Sequence, residues 1–182
     1  MMVILVLGAT GFIGGHICLA ALERGWQVRG LRRDPSAAGM LGAAAVEWFT
    51  GSLEDTQSLA PALRDVEIVF HAAAYYPSTG KDVARQVAAA VEQVRGVLRA
   101  CREAGSPRLV YTSSLSTIGR PPVGEDRPAD ERDVYRAGTL PRSAYYESKS
   151  AMEAEVLRAA AAGYPAVVVN PTVVFGPGDA RP

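Results

Sequence analysis

Short apolar runs alternate along the chain with longer segments of helical periodicity. The first run, Val3–Leu7, is unbroken and rich in branched residues, as in a strand that is buried on both faces of a parallel sheet. An amphipathic segment follows it at residues 12–24. Further apolar runs predict strands at residues 26–31, 46–50, 66–72, 108–112 and 166–170. Strands that alternate with helices predict an α/β fold built on a doubly wound parallel sheet.

The other helical segments are expected at residues 56–63, 82–104 and 143–162. The longest carries an apolar stripe formed by Val83, Val87, Val91, Val94, Leu98 and Cys101. Ser143 is a candidate N-cap of the last helix, and Gly163 is a candidate for its end. Residues 115–142 are rich in Pro, Gly and charge and predict a long loop, which inside a compact domain is usually functional or disordered.

The bulk composition fits one soluble domain, 1–182, which is large enough to bury a core. The 19 basic and 19 acidic residues cancel, which argues against a nucleic-acid surface or an acidic membrane as partner. Cys18 and Cys101 lie far apart in helical segments and predict reduced thiols rather than a disulfide or metal site. The N-terminal apolar run is too short for a membrane span and lacks a basic n-region, so we expect a cytoplasmic protein.

A glycine-rich turn, Gly8-Ala9-Thr10-Gly11-Phe12-Ile13-Gly14, joins the first strand to the first helix. This arrangement aims free backbone N–H groups and the positive end of a helix at a phosphate. Gly8 would form the tight turn, Gly11 would let a pyrophosphate approach, and Gly14 would allow close contact between helix and strand. The spacing differs from the commoner G-x-G-x-x-G, and a glycine-rich loop without function is the alternative. The flanking strand and helix favour a dinucleotide site.

The end of the second strand distinguishes NADP from NAD. An NAD site usually carries an Asp or Glu about twenty residues after the glycines, where it holds the ribose 2′-hydroxyl. Here the chain has Arg32 and Arg33, whose guanidinium groups suit a 2′-phosphate that a carboxylate would repel. The alternative is a pair of solvated arginines, with Asp34 in the place of the acid. The pattern favours NADP over NAD.

Two groups of side chains could carry chemistry. Tyr145 and Lys149 are four residues apart and share a helix face, and a lysine ammonium beside a phenol stabilises the phenolate. Tyr146 is also a helical neighbour of Lys149, and an exposed surface pair is the ordinary alternative. Ser113 and Ser114 end the fifth strand, at the edge where parallel sheets bind ligands, although they could simply turn the chain.

Four motifs together resemble the extended short-chain dehydrogenase/reductase superfamily, of the NAD-dependent epimerase/dehydratase type. They are the glycine-rich turn, Tyr111-Thr112-Ser113-Ser114, Tyr145-Tyr146-Glu147-Ser148-Lys149 and Asn170-Pro171-Thr172. The chain is most similar to the dihydroflavonol-reductase-like and nucleotide-sugar-epimerase-like members, and the resemblance covers essentially the whole chain. It implies a Rossmann fold.

The resemblance also implies roles for the candidate catalytic residues. The family pattern Y-x-x-x-K falls on Tyr145 and Lys149, so that Tyr145 rather than Tyr146 would be the acid/base. Ser114 would hydrogen-bond the reacting oxygen, and Lys149 would bind the nicotinamide ribose. We therefore expect NADPH-dependent reduction of an aldehyde or ketone on a small organic substrate. The alternatives are a nucleotide-sugar epimerase with tightly bound NAD and a non-catalytic dinucleotide-binding module.

By the same resemblance, the cofactor contacts would come from the glycine-rich turn, from the ends of the strands and from the catalytic helix. These residues are Gly8, Thr10, Gly11, Phe12, Ile13, Gly14, Arg32, Arg33, Ser52, Leu53, Ala72, Ala73, Ala74, Tyr145, Lys149, Pro171 and Val173. No metal ligands are expected.

The chain departs from the family pattern at several positions. Ser52 stands where the family has an aspartate that meets the adenine, and Ala90 stands where it has an asparagine of a water relay. Leu115 and Ser116 follow the active-site serine in place of the Asp-Glu pair of sugar-nucleotide dehydratases, which argues against that reaction. His71 is expected to be a packing residue rather than a base.

Extended members of the superfamily continue well beyond the sixth strand and build most of the substrate pocket there. We therefore expect the C-terminal substrate-binding part to be absent from this chain, which would bind a dinucleotide without enclosing a substrate. By family analogy, helix 82–104 and the Tyr145 helix would form the interface of a homodimer.

Overall fold

The computed structural model describes residues 1–73, 75, 82–135 and 138–179. Six parallel strands form one sheet, in the order β3-β2-β1-β4-β5-β6. The strands are β1 (Val3–Leu7), β2 (Gln27–Arg32), β3 (Val46–Thr50), β4 (Ile68–His71), β5 (Arg108–Thr112) and β6 (Ala166–Val169). The helices are α1 (Phe12–Glu23), α2 (Ala60–Leu63), α3 (Val83–Glu103) and α4 (Ala144–Ala161). The strand order reverses between β1 and β4, as in a doubly wound sheet, and confirms the expected fold class.

β1 lies at the centre of the sheet and is buried on both faces. Ile4 and Val6 pack on the side that α1 covers, whereas Leu5 and Leu7 pack on the side of α3 and α4. This alternation follows from the two-residue period of a strand. The central position of β1 places the glycine-rich turn at the middle of the carboxyl edge of the sheet.

The apolar stripe expected on α3 is wrong in the first half of the helix. Gln86 and Ala90 are buried there, whereas Val83, Val87 and Val91 are only half-buried. The reason is tertiary, because α3 packs against α4 as well as against the sheet. Val87 and Val91 line a shallow groove that Glu147 of α4 also borders.

Several element boundaries also differ from the prediction. Residues 56–63 form a 3₁₀ turn (Thr56–Leu59) followed by the short α2, rather than one helix. The strand expected at residues 66–72 is shorter and spans β4 alone. Ser143 does occupy the N-cap position of α4 with extended backbone, but within the described part of the chain its side chain makes no capping hydrogen bond.

Part of the long loop at residues 115–142 is held by an ion cluster. Both carboxylate oxygens of Asp133 accept hydrogen bonds from the Arg127 guanidinium, at 2.7 and 2.8 Å. The backbone N–H of Gly119 donates to the carbonyl of Asp133 at 2.7 Å. These contacts hold the loop against the turn that follows β5.

One face of the β6 edge is open to solvent. Val167 and Val169 on that strand are exposed, and so are Val174 and Phe175 in the segment that follows it. Within the described residues, no helix combines the length and the apolar character that crossing a membrane requires. The two cysteines are buried in α1 and α3, and burial raises the pKa of the Cys18 thiol to about 12 and that of Cys101 to about 11.

Candidate active site

The glycine-rich turn packs so tightly that side chains would not fit at two of its positions. Gly8 has a φ of +90°, and a Cβ there would lie 2.7 Å from the backbone nitrogen of Ala73. A Cβ on Gly14 would lie 2.1 Å from the carbonyl oxygen of Gly8. At Gly11, by contrast, the nearest atom to an added Cβ would be that carbonyl oxygen, at 3.3 Å. This geometry fits a dinucleotide pyrophosphate, which needs open space beside Gly11 at the N-terminus of α1.

A cleft of about 480 Å³ opens from this turn along the ends of β2, β3 and β4. It brings together nine of the predicted cofactor-binding residues, namely Gly8, Thr10, Gly11, Arg32, Arg33, Ser52, Leu53, Ala72 and Ala73. The other residues that line it were not predicted: Leu31, Gly51, Glu54, Tyr75 and Gln93.

The remaining predicted cofactor contacts lie elsewhere. Phe12 and Ile13 line a shallow apolar groove against residues 174–177, and Pro171 lines a neighbouring groove on the same side of the sheet. Val173 is 67% exposed. Ala74 lies outside the described residues.

The arginines at the end of β2 lie in different surroundings. The Arg32 guanidinium stacks 5.0 Å from the ring centroid of Trp48, and its Nη1 donates to the Ala37 carbonyl at 3.3 Å. Arg33 is exposed at the mouth of the cleft. Asp34 is engaged in its own turn, because its Oδ1 accepts from the Ser36 N–H at 2.8 Å and from the Ser36 hydroxyl at 2.7 Å. The cleft therefore presents guanidinium groups where an NAD site would present a carboxylate.

Glu54 brings a carboxylate to the same cleft from the turn after β3. The Ser52 hydroxyl donates to its Oε2 at 2.8 Å, and the Glu54 N–H donates back to the Ser52 hydroxyl at 3.2 Å. Ser52 therefore stands beside an acidic side chain two residues along the chain. Ser52 stands at the position where the family has aspartate, and Glu54 is an acidic residue only two positions further along. This short separation was the sequence signal that could have revealed Glu54.

The candidate catalytic side chains meet at the carboxyl end of β5. The Tyr145 hydroxyl, on the first turn of α4, donates to Ser114 Oγ at 3.3 Å. Ser114 Oγ also accepts the backbone N–H of Ser116 at 3.1 Å, which fixes the hydroxyl at the start of a 3₁₀ turn, Leu115–Thr117. The rings of Tyr145 and Tyr146 make an edge contact at 6.1 Å.

Lys149 lies one turn after Tyr145 on α4 and is only 5% exposed. Burial lowers the pKa of its ammonium group, and the negative charge of Glu153 opposes that shift. His71, at the end of β4, is completely buried and makes an edge contact with the Tyr111 ring at 5.2 Å. Burial, together with the positive charge of Lys149, lowers the pKa of His71 to about 4. The imidazole is therefore neutral at physiological pH.

His16, on α1, has a different environment from His71. It is exposed, and its Nε2 lies 3.0 Å from the Pro177 carbonyl oxygen. In the part of the chain that the structure describes, His, Cys, Asp and Glu side chains form no group of three or more that could hold a metal ion.

Known proteins share the sequence pattern of this chain. The sequence model of the NAD dependent epimerase/dehydratase family matches residues 4–182. A 2-alkyl-3-oxoalkanoate reductase from Stenotrophomonas maltophilia is 36% identical over 98% of this chain and 52% of its own length. Dihydroflavonol 4-reductase from Zea mays is 32% identical over 96% of this chain and 51% of its own length. The chain thus spans about half the length of the curated relatives it matches.

A solved structure of a nucleoside-diphosphate-sugar epimerase from Pseudomonas aeruginosa is also similar to this chain. It is 27% identical with a TM-score of 0.76, over 92% of this chain and 51% of the other. The family match extends over both the glycine-rich turn and helix α4.

Proposed function

The chain belongs to the NAD dependent epimerase/dehydratase family, and we propose on that premise that it supports NADPH-dependent reduction of an aldehyde or ketone. The observation that carries the proposal is the contact between the Tyr145 hydroxyl and Ser114 Oγ, at 3.3 Å. This pair lies at the same edge of the sheet as the glycine-rich cleft. The substrate would be a small organic carbonyl compound.

The cofactor proposal rests on the residues of the cleft. Gly11 leaves room for a pyrophosphate, and the N-terminus of α1 offers backbone N–H groups to it. Arg32 and Arg33 offer guanidinium groups to a ribose 2′-phosphate, whereas Asp34 is held by Ser36. These contacts support NADPH over NADH.

Bound NADPH would supply the hydride, and the chain's own residues would manage the proton and the carbonyl oxygen. Ser114 Oγ accepts two hydrogen bonds, so its own hydrogen can donate to a substrate oxygen on which negative charge develops. Tyr145 would protonate that oxygen as the general acid. The ammonium group of Lys149, one helical turn away, would stabilise the phenolate that remains.

The names of the relatives support a reductase. Two relatives that are 36% and 32% identical are named as reductases, and both match nearly all of this chain. A nucleotide-sugar epimerase that keeps NAD bound is the second candidate, which the similarity to a solved epimerase supports. Purified protein that carries tightly held NAD, with no net oxidation of substrate, would favour the epimerase. A dinucleotide-binding module without catalysis would bind cofactor and turn over nothing.

Parallel fluorescence titrations with NADPH and NADH, followed by turnover assays with a panel of aldehydes and ketones, test the proposal. Tyr145→Phe is expected to reduce NADPH oxidation by at least about a hundredfold while leaving NADPH affinity within about twofold. Tyr146→Phe, on the adjacent residue, is the matched control and should keep most of the activity. If Tyr145→Phe turns over substrate at the unaltered rate, the assignment of the general acid is wrong.

A further inference from the structure

We propose that Glu153 is a positioning residue for the catalytic group, because its carboxylate ties helix α4 to the turn that carries Ser114. The inference rests on the proposed function, since the turn is the one that would hold the reacting oxygen. Glu153 would act on the reacting group through Ser114 and Lys149.

The carboxylate of Glu153 is a meeting point of three separate segments. Its Oε2 accepts a hydrogen bond from the Ser113 hydroxyl at the end of β5. The same oxygen lies 2.7 Å from Thr117 Oγ1 and 2.9 Å from Asn170 Nδ2, which follows β6. One carboxylate oxygen on α4 thus contacts the end of β5, the 3₁₀ turn that follows β5, and the residue that follows β6. A charged acceptor makes such hydrogen bonds stronger than a neutral one would.

The contacts of Glu153 continue directly to Ser114. The Ser114 carbonyl oxygen lies 2.8 Å from Thr117 Oγ1 and 3.3 Å from Asn170 Nδ2. Asn170 Nδ2 also donates to Thr117 Oγ1 at 2.8 Å. Two of the three side chains that reach Glu153, those of Thr117 and Asn170, therefore also hold the backbone carbonyl of Ser114. Because that backbone sets the direction of Ser114 Oγ, Glu153 fixes the hydroxyl that Tyr145 contacts.

Glu153 also has an electrostatic role toward Lys149, one helical turn before it. Burial disfavours the ammonium form of Lys149, and the charge of Glu153 favours it. The other titratable groups around Lys149 are Tyr145 on its own helix, His71 on β4 and Tyr111 on β5. His71 is neutral and Tyr111 is held in the phenol form by burial, so Glu153 is the negative charge that balances Lys149.

Three variants of the protein separate these roles. Glu153→Gln keeps the shape and an acceptor oxygen but removes the charge, whereas Glu153→Ala removes both. Glu155→Gln is the matched control, because Glu155 lies two residues further along the same helix and pairs with Arg95 of α3 and with Arg158. Each variant is assayed for NADPH binding, for kcat and KM with an aldehyde that the unaltered protein reduces, and for the pH dependence of kcat.

Glu153→Ala is expected to lower kcat by about ten- to a hundredfold with the NADPH dissociation constant within about twofold, because misplacement of the Ser114 hydroxyl affects chemistry rather than binding. Glu153→Gln is expected to recover most of kcat but to shift the alkaline limb of its pH profile down by about one unit, since Lys149 loses its balancing charge. Glu155→Gln should match the unaltered protein. An alkaline limb that stays in place in Glu153→Gln, or an unchanged kcat in Glu153→Ala, overturns the proposal.

Hydrogen exchange separates a failure of this inference from a failure of the proposed function. The amide N–H groups of Ser116 and Thr117 donate to Ser114, at 3.1 and 3.2 Å, and report on the turn without any turnover. Their exchange should accelerate about tenfold or more in Glu153→Ala and stay unchanged in Glu155→Gln. If the unaltered protein reduces no carbonyl compound, the proposed function fails, and the exchange rates still decide whether Glu153 holds the turn. Unchanged exchange in Glu153→Ala means that it does not.

Discussion

Replacing His71 with phenylalanine is expected to make the stability of the chain less sensitive to acid. His71 is completely buried, and the neighbouring charge of Lys149 is positive, so the folded state favours the neutral imidazole. In the unfolded chain the same imidazole takes up a proton near its ordinary pKa. Between these two values the unfolded state binds more protons than the folded state, so stability falls as the pH falls.

The size of the effect follows from the two pKa values. The pKa of His71 falls from 6.5 to about 4 on folding. Each unit corresponds to about 1.4 kcal/mol, so His71 removes at most about 3 kcal/mol of stability between pH 6.5 and pH 4. The contribution is absent above pH 6.5, where the imidazole is neutral in both states. The slope between the two values approaches about 1.4 kcal/mol per pH unit.

Urea unfolding followed by circular dichroism, at several values between about pH 7.5 and pH 4.5, measures this slope. Carboxyl groups such as Asp133, whose pKa is lowered by Arg127, also destabilise the fold in acid. The contribution of these carboxyl groups is the same in the unaltered chain and in a His71 variant. It therefore cancels when the stabilities of the two proteins are subtracted. His71→Phe keeps a ring against Tyr111, and His71→Leu checks that the result does not depend on how the larger ring packs.

The exposed histidine provides the control. His16→Gln is the matched variant, because it removes an imidazole at the surface rather than one in the core. His71→Phe and His71→Leu should both reduce the slope between pH 6.5 and pH 4.5. A slope that is the same in all four proteins would show that the buried imidazole titrates normally in the folded state, and the reasoning would be refuted.

Three further predictions concern the glycine-rich cleft and the loop at residues 115–142. Gly14→Ala should weaken NADPH binding by about tenfold or more in a fluorescence titration, because its Cβ would strike the Gly8 carbonyl oxygen. Gly15→Ala should bind normally, because its Cβ would come closest to the flexible Met40 side chain and would keep an ordinary distance from backbone. Arg33→Ser should weaken NADPH binding by roughly tenfold and leave NADH binding unchanged; equal losses for the two cofactors would contradict the 2′-phosphate assignment. Asp133→Asn should lower the melting temperature at neutral pH, since it removes the charge that Arg127 contacts through both oxygens, and the difference from the unaltered chain should shrink in acid as Asp133 is protonated.

The parts of the fold that sequence alone predicted depend on short-range patterns. One local unit joins the β1 strand, the turn from Gly8 to Gly14 and the helix that follows. Because these elements are adjacent in sequence, the apolar run, the glycine spacing and the helical period all describe the same unit. The strand positions followed in the same way: three strands have the predicted ends, and the ends of the other three shifted by at most two residues. The helical period allowed either Tyr145 or Tyr146 as the neighbour of Lys149, and the family resemblance selected Tyr145 and gave Ser114 its role.

The parts that sequence alone did not predict depend on contacts between distant residues. Glu153 and Ser113 are separated by 40 positions along the chain, and neither the spacing nor the composition around Glu153 marks it as different from Glu155. Likewise, the core face of α3 is set by the neighbouring helix α4, which the valine pattern of α3 does not contain. Glu54 was missed for another reason, since attention to Ser52, which stands in place of the family aspartate, left out the acidic residue two positions further along that contacts it.

Lys149 connects the first prediction with the last proposal, because its charge acts on His71 and the charge of Glu153 acts on Lys149. Lys149 lowers the pKa of His71, and Glu153 raises that of Lys149. Burial is the larger cause of the low pKa of His71, and the charge of Lys149 is the smaller one. Because Glu153→Gln leaves the imidazole buried, the acid slope of stability due to His71 should persist in that variant. Combining Glu153→Gln with His71→Phe should therefore give the sum of the separate effects, a lower alkaline limb of kcat and a flatter acid slope of stability. A double variant in which either effect disappears would show that the two groups titrate as one coupled unit through Lys149.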